Sequence, residues 1–171
     1  MPLTVNGKEI PDLQSLGEAA QFSGRIFELI EDGFGKITRD EARLLANAMQ
    51  VYRVKAGTPF IAEDDPGDFM VLLLEGRVEV VKGWPEGKLL ATVEPGKTLG
   101  EMSMIDGEPR FATCVAVVET TFAVLLGEAL LRLIDEHPAL GAKILLQLSA
   151  LLNQRLRAAS AKLVEALESR Y

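Results

Sequence analysis

The chain has one cysteine, one histidine and one tryptophan among 171 residues. A single thiol, Cys114, excludes an intramolecular disulfide framework. A single imidazole, His137, cannot supply a histidine cluster for a metal, and it lies just before Pro138, where two helical patterns meet. No nucleophile–base pair gains sequence support from His137 and Cys114, so no catalysis is expected and no metal site is assigned. Basic residues are outnumbered, 18 Lys+Arg against 25 Asp+Glu, for a net charge of −7. That balance disfavours nonspecific attraction to nucleic acid, because phosphate-bound counterions are displaced by basic side chains. No apolar run reaches the roughly 18 residues of a membrane span, and no basic-then-apolar leader opens the chain. These absences lead to the expectation of a soluble, cytoplasmic protein with no membrane contact and no direct DNA binding.

What is present is an apolar fraction of 48%, enough for a sizeable core in one domain. Residues 1–50 read as an N-terminal helical segment. Phe22, Ile26, Phe27 and Ile30 recur at helical spacing, "DGFG" from Asp32 is a stop signal, and Thr38 with Glu41 has the spacing of a capping box. In the second helix Ala42, Leu45, Ala46 and Met49 would turn inward. Residues 51–126 change texture. Short β-rich runs alternate with breakers such as "DDPGD", "GWPEG" and "DGEP", which suggests a sandwich, barrel or jelly roll. "FMVLLLEG" is apolar throughout, as a strand covered on both faces would be. Residues 127–171 turn helical again, with a break at Pro138 and then one long helix. Its stripe of Leu145, Leu148, Leu152, Leu156, Ala159, Leu163 and Leu167 leaves enough apolar circumference to cover the barrel and also meet a second chain, so a homodimer through this helix is expected.

Between two β-like runs stands "TLGEMSMIDGEPRFATCVA", Thr98 to Ala116. Gly100 lets the backbone approach a neighbour closely. "EMSMID" suits one or two helical turns whose first N–H groups lack intrahelical partners. Arg110 is a planar, permanent cation able to hold two oxygens, and Glu101 is an acceptor suited to hydroxyl donors. A ligand with a phosphate and neighbouring hydroxyls satisfies both. The plainer alternative is that Glu101 and Arg110 pair with each other, since a charge pair is weak evidence of function.

The segment closely resembles the phosphate-binding cassette of cyclic nucleotide-binding domains. The family pattern is a Gly-Glu opening followed, after a short variable stretch, by Pro-Arg-x-Ala-Thr. Here it reads Leu99, Gly100, Glu101, Met102, Ser103, Met104, then Pro109, Arg110, Phe111, Ala112, Thr113, with the cassette taken as 98–114. "VYRVKAGTPFIAEDDPGDFMVLLLEGRVEV" is similar to the family's strand pattern. The resemblance implies a mainly β fold with flanking helices: a double-stranded β-helix (jelly roll) with N-terminal helices and a long C-terminal helix, all one cyclic nucleotide-binding domain.

It also implies roles by position. Glu101 would accept the ribose 2′-hydroxyl. Arg110 would hold the exocyclic phosphate oxygens. Backbone N–H groups around Gly100, Met102, Ser103, Phe111 and Ala112 would complete the phosphate shell. The C-terminal helix would close over the base, with Ser160 contributing across a dimer. Two positions depart from the pattern. Ala159 lacks a hydroxyl that relatives use for adenine, and Phe111 replaces a small or hydroxyl residue. Both bear on base choice more than on phosphate binding, leaving cAMP as the expected ligand, cGMP second, and no other cofactor. Asn153, Gln154 and Arg157 read as solvated helix residues and Trp84 as part of a hairpin turn. The expected function is a single-domain regulatory protein that binds a cyclic nucleotide and signals to a separate, unidentified effector protein by moving its C-terminal helix. The alternative is a degenerate member of the same fold that acts as a protein-interaction module without ligand.

Overall fold

A computed structural model describes residues 3–30 and 37–168. The stop signal read in "DGFG" and the last three residues lie outside the described residues.

The chain begins with strands, which corrects the expectation of an all-helical start. β1 (Thr4–Val5) and β2 (Lys8–Glu9) form a hairpin about Asn6 and Gly7, both at positive φ (53° and 69°). Asn-Gly is the pair that a tight hairpin turn favours, because both central residues must be left-handed. β3 (Gln14–Glu18) then pairs antiparallel with β4 (Met49–Val54), with a bulge between Ser15 and Gly17. Gly17 at φ 87° and Asp12 at φ 57° interrupt any helix in this stretch. The pairing partner lies some 35 residues downstream, so a local helical period could not reveal it. A 3₁₀ turn (Ala19–Phe22) leads into α1 (Ser23–Ile30), which buries Ile26, Phe27 and Ile30. α2 (Arg39–Asn47) has the expected capping box: Thr38 N–H donates to Glu41 Oε2 at 2.8 Å, and Glu41 N–H donates to Thr38 Oγ1 at 3.2 Å. It buries Ala42, Leu45 and Ala46, while Met49 is buried from β4.

The remaining strands are β5 (Pro59–Ile61), β6 (Phe69–Glu75), β7 (Val78–Lys82), β8 (Lys88–Val93), β9 (Thr98–Leu99), β10 (Thr113–Ala116) and β11 (Thr120–Leu126). They form two antiparallel sheets, ordered β3-β4-β11-β6-β9 and β5-β10-β7-β8. β6 lies inside the first sheet and is buried along its length up to Glu75. Its pleat divides its side chains between two cores. Met70, Leu72 and Leu74 join the helices in one, and Phe69, Val71 and Leu73 fill the space between the sheets in the other. Phe60 and Phe122 stack in the second core, with centroids 4.6 Å apart.

α3 (Glu101–Asp106) follows β9 directly, so the cassette hangs from the edge of the first sheet. α4 (Gly127–Glu136) leaves β11, and α5 (Pro138–Glu168) follows after His137. Only the first third of α5 is packed: Leu140, Gly141, Ile144 and Leu148 enter the helix-side core. Lys143 ties this end to α2, with its ammonium 2.6 and 2.8 Å from the two Glu41 oxygens. Beyond residue 155 every described position of α5 is exposed.

Ile144 is 1% exposed at the point where α5 meets the core. Ile144→Ala removes packed methylenes and leaves a cavity, so it should cost about 2–5 kcal/mol. Urea unfolding checks this, and a loss under about 1 kcal/mol would mean that α5 is not seated as described.

Candidate functional site

Gly100 begins the site. It stands at φ 80°, a left-handed turn that starts α3 without a Cβ. A Cβ there would lie 2.7 Å from Arg110 Nη1 and 3.1 Å from the Phe69 carbonyl oxygen, so only glycine lets the arginine in. Arg110 Nη1 donates to the Gly100 carbonyl at 2.7 Å, and its guanidinium carbon lies 4.3 Å from the centroid of Phe69. Gly67, in the loop before β6, backs the same guanidinium; a Cβ there would overlap it. The Arg110 backbone is held on both sides, its N–H donating to Asp65 O at 2.8 Å and its carbonyl accepting from Asp64 N–H at 2.9 Å. The cation is therefore 3% exposed yet fixed in place, and burial lowers its pKa from the ordinary arginine value.

Glu101, the first residue of α3, is completely buried. It does not pair with Arg110. Its partner is Arg155 of α5, whose Nη1 donates to Glu101 Oε1 and whose Nη2 donates to the Thr98 carbonyl at 2.7 Å. Burial raises the Glu101 pKa, and the Arg155 charge opposes that rise. By residue type the sequence does not single out Arg155 among its polar neighbours Asn153, Gln154 and Arg157. The signal was available. Arg155 lies seven residues after the buried Leu148, two helical turns on, and so continues the inward-facing stripe with a charge. Asn153 bonds back to Ser149 O of its own helix at 2.9 Å, as a solvated residue would.

Three buried side-chain atoms remain without a hydrogen-bond partner among the described residues: Glu101 Oε2, Arg110 Nη2 and Thr98 Oγ1. Orphaned buried polar atoms are costly and rare, and these sit on residues joined through Gly100 and Arg155. Together they offer one carboxylate acceptor and one guanidinium donor.

The other expected site residues are placed as follows. Ser103 and Ala112 are buried, Met102 is half exposed, and Phe111 is 60% exposed. Met104 N–H donates the first intrahelical bond of α3, to Gly100 O at 3.3 Å, so the N–H groups of Glu101, Met102 and Ser103 precede it. Ser160 is exposed on the far part of α5, and its own chain does not bring it to the cassette. Cys114 lies buried near Arg110, where burial pushes its thiol up to about 12, so it stays protonated and inert. His137 caps α4. Among the described residues no group of three His, Cys, Asp or Glu side chains could hold a metal ion, and no helix is long and apolar enough to cross a membrane.

Comparison with known proteins agrees with this geometry. The sequence profile of the cyclic nucleotide-binding domain matches residues 51–137, half of the chain. A solved cyclic nucleotide-binding domain from Methylobacillus flagellatus KT is 41% identical, with a TM-score of 0.83 over 89% of this chain and 88% of its own. The chain belongs to the cyclic nucleotide-binding domain family. It is also similar to the cyclic AMP receptor protein of Thermus thermophilus, 32% identical over 76% of this chain and 59% of the relative. The regulatory subunit of cAMP-dependent protein kinase from Aspergillus niger is 33% identical over 55% of this chain and 23% of the relative. The chain thus spans less than two thirds of the length of these two curated relatives.

The pairing of Glu101 with α5 makes a prediction about pH. A carboxyl with a raised pKa favours the folded state below its unfolded value of about 4.3, and that advantage is lost as pH rises through the folded value. Arg155→Met removes the opposing charge, so the Glu101 pKa should climb further. The variant should lose about 2 kcal/mol at pH 7, a figure discounted because Arg155 is 40% exposed, and less at pH 4. Urea unfolding from pH 4 to pH 8 reads this directly; a pH-independent loss would contradict it.

Proposed function

We propose that this chain captures a cyclic nucleotide, cAMP before cGMP, and passes the signal to a separate effector protein through α5. The observation that carries the reading is the pair of orphaned atoms, Glu101 Oε2 and Arg110 Nη2. A ribose 2′-hydroxyl donating to the first and a phosphate oxygen accepting from the second would satisfy both. The N–H groups of Met102, Ser103, Phe111 and Ala112, with the close backbone approach allowed at Gly100, would complete the phosphate shell.

Charge narrows the ligand further. Arg155 offsets Glu101, which leaves Arg110 as the one buried cation of the cassette without an ion-pair partner among the described residues. A cyclic phosphodiester carries a single negative charge and balances it. A 5′-monophosphate carries nearly two and would leave buried charge uncompensated.

Signalling follows from the sharing of Glu101. One oxygen holds α5 through Arg155, and the other would hold the ligand. Ligand and helix position are then coupled, and the ligand shifts α5 only by its differential affinity for the helix's two positions. Leu156, Leu163, Val164 and Leu167 are exposed on the far part of α5, which supports a homodimer there, with Ser160 reaching toward the site of the other copy. The role is binding rather than catalysis. The second reading, an interaction module that takes no ligand, draws support from Ala159 and from a Glu101 already engaged by Arg155.

Thermal unfolding separates the two. At 100 times its dissociation constant, cAMP should add about 2.7 kcal/mol, a rise of roughly 5–10 °C for a chain of this size. 5′-AMP should add far less, and Arg110→Ala should remove the rise. No rise with any cyclic nucleotide would leave the interaction module as the function. For the dimer, Leu163→Asp should halve the mass seen by sedimentation while leaving the Tm of the β-sheet region within about 2 °C, since Leu163 is exposed within its own chain. A wild-type monomer would overturn that part.

A further inference from the structure

Phe111 directly follows the buried Arg110, yet it belongs to neither core and is 60% exposed. Its position is nonetheless fixed from behind. Lys82, at the end of β7, places its ammonium 4.7 Å from the ring centroid and donates to the Phe111 carbonyl at 2.8 Å. Glu63 holds Lys82 at 2.7 Å, and its other oxygen accepts the Gly83 N–H at 2.7 Å. The Glu63 backbone N–H in turn donates to Thr113 Oγ1 at 3.1 Å, two residues beyond the ring. The Gly83 N–H, and after it Lys82, hold the Glu63 carboxyl below its ordinary value, so this support is charged at neutral pH. One face of the Phe111 ring is covered by a cation. The ring is still 60% exposed, and it directly follows Arg110 in the chain.

We propose that Phe111 is the platform on which the nucleotide base stacks, with Lys82 as the residue that positions it. This rests on the cyclic nucleotide reading given above. A ligand whose phosphate is held by the Phe111 backbone N–H, as proposed above, lies beside the residue that carries the ring. Phenylalanine has no donor or acceptor and cannot read the edge of a base. Its face can be stacked on, and stacking tolerates any base edge while favouring a large π surface. The cation behind the ring draws π density away from the open face, which suits an electron-rich purine. The support from Lys82 and Glu63 also lowers the entropy lost when a base settles on the ring. Phe111 therefore selects purine over pyrimidine by area and leaves the choice among purines to groups that meet the base edge.

Calorimetric titration of the full chain with three compounds tests this: cAMP, cCMP, and ribose 3′,5′-cyclic phosphate without a base. Phe111→Ala should weaken cAMP about tenfold, weaken cCMP less, and leave the baseless compound unchanged. Phe111→Trp should restore cAMP. Lys82→Met should weaken cAMP about threefold, again with no effect on the baseless compound. An equal loss of cAMP and of the baseless compound in Phe111→Ala would make the ring a structural part of the phosphate site and overturn the platform. No loss of either would overturn it as well. If Arg110→Ala abolishes cAMP binding and Phe111→Ala leaves it unchanged, the platform alone falls. If the wild-type chain binds none of the three, the cyclic nucleotide reading falls and the platform with it.

Discussion

A fully buried carboxylate governs this structure. Glu101 has no solvent contact, and an ionised group in such a place is tolerable only with a partner. The partner comes from α5, 54 residues downstream. Several features follow from that single requirement. α5 must pass beside β9 and α3, and its Arg155 must reach both Glu101 and the Thr98 carbonyl. The first third of α5 must be seated firmly enough to aim the arginine, which Leu140, Ile144 and Leu148 achieve by packing and Lys143 by its bond to Glu41. The N-terminal helices thereby become part of the site's support, although none of their residues touches the cassette's charges.

Arg110 solves a similar problem by different means. Its charge has no carboxylate within ion-pair distance among the described residues, and the backbone does the holding. The Gly100 carbonyl, the Phe69 ring and the two glycines that make room for it set the guanidinium in one orientation. The contrast between the two groups is informative. The acid is neutralised from the C-terminal helix, and the base is caged by strands and loops of the sheets. Glu101 opens α3 and Arg110 follows it nine residues later, so two buried charges close in sequence are held by different parts of the chain.

Much of this was legible in the sequence because it is local. The capping box at Thr38, the two-faced apolar run of β6, the short α3 and the start of α5 at Pro138 each depend on residues within a few positions of one another. The Gly-Glu and Pro-Arg pairs were visible for the same reason. What escaped the reading is long-range. β3 exists because β4 offers it an edge, and its own residues carry a weak local preference that the Gly17 bulge obscures. Arg155 looks like any polar helix residue until its alignment with Leu148 is counted, and even then nothing nearby in sequence says that a buried acid awaits it.

The far part of α5 has one more consequence. Residues 156–168 lie outside every core of their own chain, and an isolated helix of that length is only marginally stable in water. Its helicity is therefore borrowed from the seated turns before it, and a chain lying along its leucines would add to it. Backbone amide exchange along those turns would act as a gauge of association: fast when the segment stands alone and slow when it is covered. The protection of thirteen or so amides would then report an event that takes place outside the β-sheet body altogether.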